Sequence, residues 1–473
     1  MQSLPLESKE RMSNERIRAW YESWKKYIIY DSKTGKTRFI THTQEPDENG
    51  CFVKKKKKNK ATGEMVDVET LIKGTKLKPT EYIELVEDGQ VYVSFSGGKD
   101  STVLADLCAR FCKKYGYTLY LFFANTGLEY PEIQRFVETF AEWLRHTYKI
   151  KVVLDKVRPE MRFDQVLKEY GYPVISKNVS NTIHGAKNSI RKGKYSLRLR
   201  HLGVQENEFG GLDNNGEYDY EKAATNSKFN ITKYRYLLDA DFDASDVCCE
   251  IMKKRPARAY EKQTGRKAIL GTMAHESMLR KNEWIKNGCN AFEKKNPTSQ
   301  PISSWTNQDI LHYIKKYNIP YCSVYGEIKV KQSDGELDGQ LNISDFLGYY
   351  EPEDVLETTG CSRTGCIFCM FGCHREKEPN RFQRMKETHP RQYEYCINGG
   401  EYITEGYAMD SSGEWKSFVF EQDDGTPFTQ EEIEEFINEH KDNENFKFVR
   451  KWKPNKDGLG LGKVLDHIGI KYK

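Results

Sequence analysis

The sequence contains no run approaching the roughly 20 consecutive apolar residues needed to cross a bilayer, so no membrane-spanning helix is expected. The opening stretch MQSLPLESKERMSNERIR has no apolar signal core, and a cytoplasmic rather than secreted chain is expected. Neither sign of charge dominates. A formal net charge of +4 over 473 residues says little about a nucleic-acid partner. No internal repeat is visible, and the four-residue spacing of a Walker loop is missing ahead of Gly98-Lys99.

Hydrophobic residues make up 37% and charged residues 30% of the chain, which suits one large domain with additions and a wet surface. Twelve cysteines in a reducing compartment point to metal or redox roles rather than a disulfide framework. Three regions are expected: an N-terminal accessory region over 1–85, a nucleotide-binding domain over 86–330, and a cysteine-rich module over 331–473. Within the first, Ile17, Trp20, Tyr21 and Trp24 predict an amphipathic helix across 12–30. Lys54 to Lys58, with Lys60 close behind, reads as a solvated loop or hairpin, or alternatively as a phosphate-backbone contact. A polar stretch rich in Gly, Asn, Asp and Glu over 204–230 reads as a mobile insertion.

From residue 90 the pattern alternates. A strand at 91–95, a helix over 101–115, a strand at 118–124, a helix over 131–148 and a strand at 151–154 predict βαβ units and a parallel sheet. A further strand is expected at 266–272 and a helix over 306–317. In such sheets ligands bind beyond the carboxyl ends of the strands. The loops at Ser96 and Asn125 both fall there.

Strand, then Ser96-Gly97-Gly98-Lys99-Asp100-Ser101, then helix is a coherent phosphate site. The glycines let backbone N–H groups turn onto an anion, and the helix adds its unpaired N–H groups and positive dipole end. Lys99 supplies a cation, and the Ser96 and Ser101 hydroxyls can bond phosphate oxygens.

The segment VSFSGGKDSTVL resembles the pyrophosphatase loop of the PAPS reductase and N-type ATP pyrophosphatase superfamily. Asn125-Thr126-Gly127 with Pro131-Glu132, the stretch from Gly271 through Glu276-Ser277 to Arg280, and Pro301, Trp305-Thr306, Asp309-Ile310 and Ile319-Pro320-Tyr321 are similar to later motifs of that superfamily. Together they cover roughly residues 90 to 330. The resemblance implies an α/β fold of the Rossmann-like adenine nucleotide α-hydrolase type. It also implies nucleotide contacts from Ser96 to Ser101, Asn125 to Gly127 and Glu276, and catalytic positions for Lys99, Asp100 and Arg280. The pattern departs at Met273, where the family often carries an arginine.

Cys248-Cys249 and the later Cys366-x-x-Cys369 are similar to the cluster pattern of the APS-reductase branch. Paired thiolates can grip one metal or cluster, and the candidate is a [4Fe–4S] cluster on these four cysteines. A local zinc site built from Cys361, Cys366, Cys369 and Cys373, with His374 as a spare ligand, is the alternative, and free redox thiols are a third reading. Cys51, Cys108, Cys112, Cys289, Cys322 and Cys396 are isolated and expected to be packed or surface residues.

The resemblance implies an enzyme that binds ATP with Mg²⁺, adenylates an acceptor with pyrophosphate release, and supports sulfur transfer. A sulfonucleotide reductase is the alternative, and a non-catalytic nucleotide-binding regulator is the second. The intact loop, and a C-terminal stretch GLGLGKVLDHIGIKYK without cysteine, favour ATP. The acceptor is open, with tRNA, DNA and a small metabolite all compatible, and a sulfur donor such as a cysteine desulfurase is an expected partner. A basic stretch at Lys177, Lys187, Arg191, Lys192, Lys194, Arg198 and Arg200 could track a nucleic-acid backbone or form a solvated helix face.

Overall fold

The computed structural model describes residues 4–43, 52–58, 64–71, 77–86, 89–204, 230–331, 354–422 and 425–473. Most of the expected insertion, 205–229, lies outside them. Contacts divide the chain into two units. The first holds Met1–Asn125, Glu129–Arg158 and Arg255–Ile367, and the second holds Thr126–Leu128, Pro159–Lys254 and Phe368–Lys473. Among the described residues no helix is long and apolar enough to cross a membrane.

The first unit begins with helix α1 (Leu6–Ser23), then strands β1 (Lys25–Asp31), β2 (Thr37–His42), β3 (Phe52–Lys58), β4 (Met65–Leu71) and β5 (Glu81–Val86). Order β2-β1-β5 makes one antiparallel sheet, and β3 pairs with β4 as a separate hairpin. The expected helix over 12–30 therefore stops earlier. Trp24 caps it in an extended conformation, because the β-branched and aromatic run KKYIIY that follows suits a strand. Lys54 to Lys58 lie in β3, one arm of the hairpin that is one of the two expected forms, and Lys60 is outside the described residues.

The larger sheet comprises β6 (Val91–Ser94), β7 (Leu119–Ala124), β8 (Val152–Val157), β9 (Lys267–Leu270), β10 (Asn290–Ala291) and β11 (Thr298–Ser299). Its order is β10-β11-β9-β6-β7-β8, parallel throughout except for the edge strand β10. Strands β6 and β7 are almost wholly buried, as expected when helices cover both faces of a parallel sheet. The helices that follow β6 in this unit are α2 (Lys99–Tyr115), α3 (Pro131–Tyr148), α4 (Arg255–Thr264), α5 (Met278–Asn287) and α6 (Asn307–Tyr317); α5 buries none of its side chains. Val103, Leu104, Leu107, Cys108 and Phe111 of α2 join Ile133, Val137, Phe140 and Leu144 of α3 in the main core. Trp20 and Tyr21 of α1 pack into the same core.

The chain runs β6, β7, β8 outward on one side and then returns to place β9 on the other side of β6. In open α/β sheets ligands bind beside such a reversal, here at the carboxyl ends of β6 and β9. The fold is the expected mixed α/β arrangement around a mostly parallel sheet.

The second unit combines helices Phe163–Tyr170 and Lys177–Arg191 with a three-stranded antiparallel sheet. Its strands are Trp415–Phe418, Glu401–Met409 and Phe446–Lys453, in that spatial order. Helix Gln430–His440 lays Phe436 against Phe418, Phe420, Phe446 and Phe448. The segment before Cys248 is bonded to this sheet, with Trp452 N donating to Asp241 O at 2.6 Å and Lys451 Nζ to Asp243 Oδ1 at 2.8 Å.

Candidate functional site

The loop begins where β6 ends. Phe95 N still bonds Phe122 O at 2.9 Å, and then the chain turns at Gly97, whose φ is +72°. A Cβ at Gly97 would lie 2.9 Å from Ile133 Cγ2 and 3.0 Å from Val137 Cγ2, so glycine is required on two counts. Gly98 caps α2, and its carbonyl accepts Ser101 Oγ at 2.8 Å and Thr102 Oγ1 at 3.1 Å. Ser101 Oγ also accepts Ser96 N at 3.2 Å and lies 3.1 Å from Ser96 Oγ. Both serines thus brace the loop. On the far side, a Cβ at Gly271 would come 3.2 Å from Ser101 N and Cα, so β9 can approach the first turn of α2 only through glycine.

Lys99 is only 4% exposed, and its ammonium lies 3.1 Å from Asp100 Oδ1. Its backbone N–H donates to the Tyr325 phenol oxygen at 3.1 Å, and that oxygen lies 2.8 Å from Thr364 Oγ1. Burial pushes the Tyr325 phenol up to about 12, so it keeps its proton.

Glu276 and Arg280 meet at the carboxyl end of β9. Glu276 accepts Met273 N at 3.2 Å and pairs with both Arg280 and Arg363. Ser277 caps α5 by accepting Arg280 N at 3.3 Å, which sets Arg280 on its first turn. Burial and the neighbouring Arg363 draw the Arg280 guanidinium below its usual value, while the Asp100 carboxylate opposes them. Two guanidiniums share the Glu276 carboxylate next to Asp100, and guanidiniums are planar donors whose geometry suits phosphate oxygens.

At the end of β7, Asn125 N donates to Val157 O at 2.8 Å and its Oδ1 accepts Gln134 Nε2 at 3.1 Å. Thr126, Gly127 and Leu128 group with the second unit, where Thr126 Oγ1 accepts Leu128 N at 3.2 Å.

In the second unit, Cys248 and Cys249 start a helical segment that passes through a π turn at Glu250–Lys254. Such turns are often found at functional sites. A hydrogen bond with Cys248 lowers the Cys249 thiol to about 6; burial opposes this, and Lys177 and Lys253 add to it. Burial raises the Cys369 thiol, as does nearby Cys249, while Arg381 and Lys253 counter them. Arg381 Nη1 also donates to Cys369 O at 2.9 Å. Lys177 opens a 15-residue helix capped by Ser176. The preceding Ile175, held at a strained φ of +59°, accepts Gly372 N at 2.9 Å.

Cys366 belongs to the first unit, as does Cys361, whose sulfur lies 3.9 Å from the Tyr130 hydroxyl. Cys373 is buried and its thiol is raised to about 11, chiefly by that burial. Among the described residues, no group of three or more His, Cys, Asp or Glu side chains is disposed to hold a metal ion. Cys108, Cys112, Cys322 and Cys396 are buried, Cys289 accepts Trp284 Nε1 at 3.1 Å, and Cys51 lies outside the described residues.

A sequence profile of the phosphoadenosine phosphosulfate reductase domain matches residues 90–194 and 216–371, more than half of the chain. The protein belongs to that family. No curated protein matches the chain. The family is one of nucleotide-using enzymes, and the matched region takes in the glycine loop, Glu276, Arg280, Arg363 and all four CC and CxxC cysteines.

Within the family domain the structure brings together Ser96 to Ser101, Glu276 and Arg280. Sequence reading missed Arg363, Tyr325 and Thr364, because each reaches the loop across a long stretch of chain and belongs to no spacing pattern. Several cations of the basic stretch are used internally. Lys187 Nζ donates to Ala240 O and Phe242 O at 2.7 and 2.8 Å, Arg191 pairs with Asp243 at 2.6 Å, and Lys194 pairs with Glu414 at 3.0 Å.

Proposed function

We propose that this family member uses ATP, adenylates an acceptor with release of pyrophosphate, and so prepares that acceptor for sulfur transfer. The observation that carries this reading is the complete loop. Two glycines, a buried lysine and the start of a 17-residue helix face a wall in which Glu276 holds Arg280 and Arg363. Charge building on a leaving pyrophosphate would be stabilised by Lys99 and these guanidiniums, aided by Mg²⁺ near Asp100.

An iron–sulfur cluster is the second element of the proposal. Thiols at Cys248, Cys249 and Cys369 lie among Lys177, Lys253 and Arg381, cations that offset thiolate charge. In this proposal those three thiols, with Cys366 as the fourth, would be the ligands of the cluster, although the described side chains are not gathered into a metal-holding group. When bound, it would supply redox or sulfur-handling chemistry. A nucleic-acid acceptor such as tRNA or DNA, a desulfurase-type sulfur donor and a cytoplasmic location complete the proposal.

The test is pyrophosphate release from ATP with candidate acceptors, alongside binding titrations of ATP and PAPS. ATP preferred, with release cut by about 10²-fold or more in Lys99→Ala, is the expected result. Preference for PAPS would favour the sulfonucleotide reductase instead. Nucleotide binding with no turnover for any acceptor would favour a regulator.

A further inference from the structure

The Tyr325 phenol oxygen occupies a position suited to an anion. It accepts the Lys99 N–H at 3.1 Å, one of the N–H groups that α2 cannot pair within itself. Thr364 Oγ1 lies 2.8 Å from that phenol oxygen. A Cβ on Gly98 would stand 3.0 Å from Thr364 Oγ1 and 3.4 Å from the phenol oxygen. Two hydroxyls, drawn from opposite ends of a 39-residue span, therefore face the glycine backbone. A helix N-terminus prefers a negative charge to a neutral phenol.

We propose that Tyr325 and Thr364 are phosphate-binding residues that complete the loop. This rests on the nucleotide reading of the loop. An incoming phosphate oxygen takes the Lys99 N–H from the phenol, and both hydroxyls turn to donate to the anion. Hydrogen bonds to a charged oxygen are about twice as strong as neutral ones, so each hydroxyl gives the bound state more than it gives the empty loop.

The Tyr325 segment is also tied by its backbone to the cysteine segment. Gly360 N donates to Tyr325 O at 2.9 Å, Cys361 N to Val324 O at 3.0 Å and Thr359 N to Glu327 O at 3.0 Å. These bonds fasten the segment that carries Tyr325 to the strap that carries Thr364 and leads to Cys366.

Calorimetric titration of inorganic pyrophosphate and of a non-hydrolysable ATP analogue into the full chain tests this. Tyr325→Phe and Thr364→Val are expected to bind each about tenfold more weakly than wild type, with Thr364→Ser close to wild type. Equal or tighter binding by the first two would show that the hydroxyls only plug the loop, and would overturn the inference. Wild type that binds neither probe would overturn the nucleotide reading itself. Should a variant fail to fold, hydrogen exchange on wild type decides. Pyrophosphate should change exchange at the Gly360 and Cys361 amides, and unchanged exchange counts against the proposal.

Discussion

Arg363 and Glu276 lie 87 positions apart in the chain, yet they form an ion pair that also takes in Arg280. The segment beginning at Gly271 carries Met273 where the family often has an arginine. Arg363 brings a second guanidinium to that segment from the cysteine-bearing strap.

Arg363→Ala is therefore expected to weaken pyrophosphate binding by about tenfold, since a hydrogen bond to a charged group is lost. Glu276→Gln should lower stability by only about 1 kcal/mol, because both of its arginine partners are partly exposed. Titration calorimetry and urea unfolding read the two effects. Arg363→Ala with wild-type affinity would remove the residue from the site.

Gly97→Ala should be far more damaging than a typical loop substitution. The positive φ alone costs an alanine about 1–2 kcal/mol, and the new Cβ would press on Ile133 and Val137. A lower urea midpoint together with lost nucleotide binding is expected. Full binding by the variant would mean the loop is not held in this conformation.

Lys187 gives a stability signature in pH. Burial, with Lys451 and Arg191 nearby and Asp243 opposing, lowers its ammonium to about 8. The folded state thus holds that proton less tightly than the unfolded chain does. Between about pH 8 and the ordinary lysine range, stability should rise with pH relative to a Lys187→Met variant. Unfolding of both proteins at pH 7, 8, 9 and 10 measures the difference. A gap that stays flat would mean the side chain is solvated.

Anaerobic purification should give a brown protein with about four iron and four sulfide per chain, lost in Cys366→Ala. Zinc in place of iron would return the cysteines to a structural role. Full iron content in the variant would remove Cys366 from the ligand set.

Much of the fold was readable because it is local. The apolar run of β6, the loop glycines and the helical period of α2 all lie within 25 residues, and the helix expected over 306–317 is α6. The boundary after Ser23 was misplaced because Trp24 continues the helical period while the next residues suit a strand. The candidate site was half legible. Loop, Glu276 and Arg280 carry short motifs, whereas Tyr325, Arg363 and Thr364 join only through tertiary packing. Ser96 and Ser101 carry a role that their spacing did not show: their hydroxyls also brace the turn.

Helix α5 carries Arg280 on its first turn, yet none of its side chains is buried, and Met278, Leu279 and Ile285 are 68%, 83% and 68% exposed. Substitutions along it should therefore cost the core little, provided that Ser277 and Arg280 are kept. Evolution can redraw the outer surface beside the candidate site without renegotiating the fold. Specificity can drift there while the chemistry stays fixed.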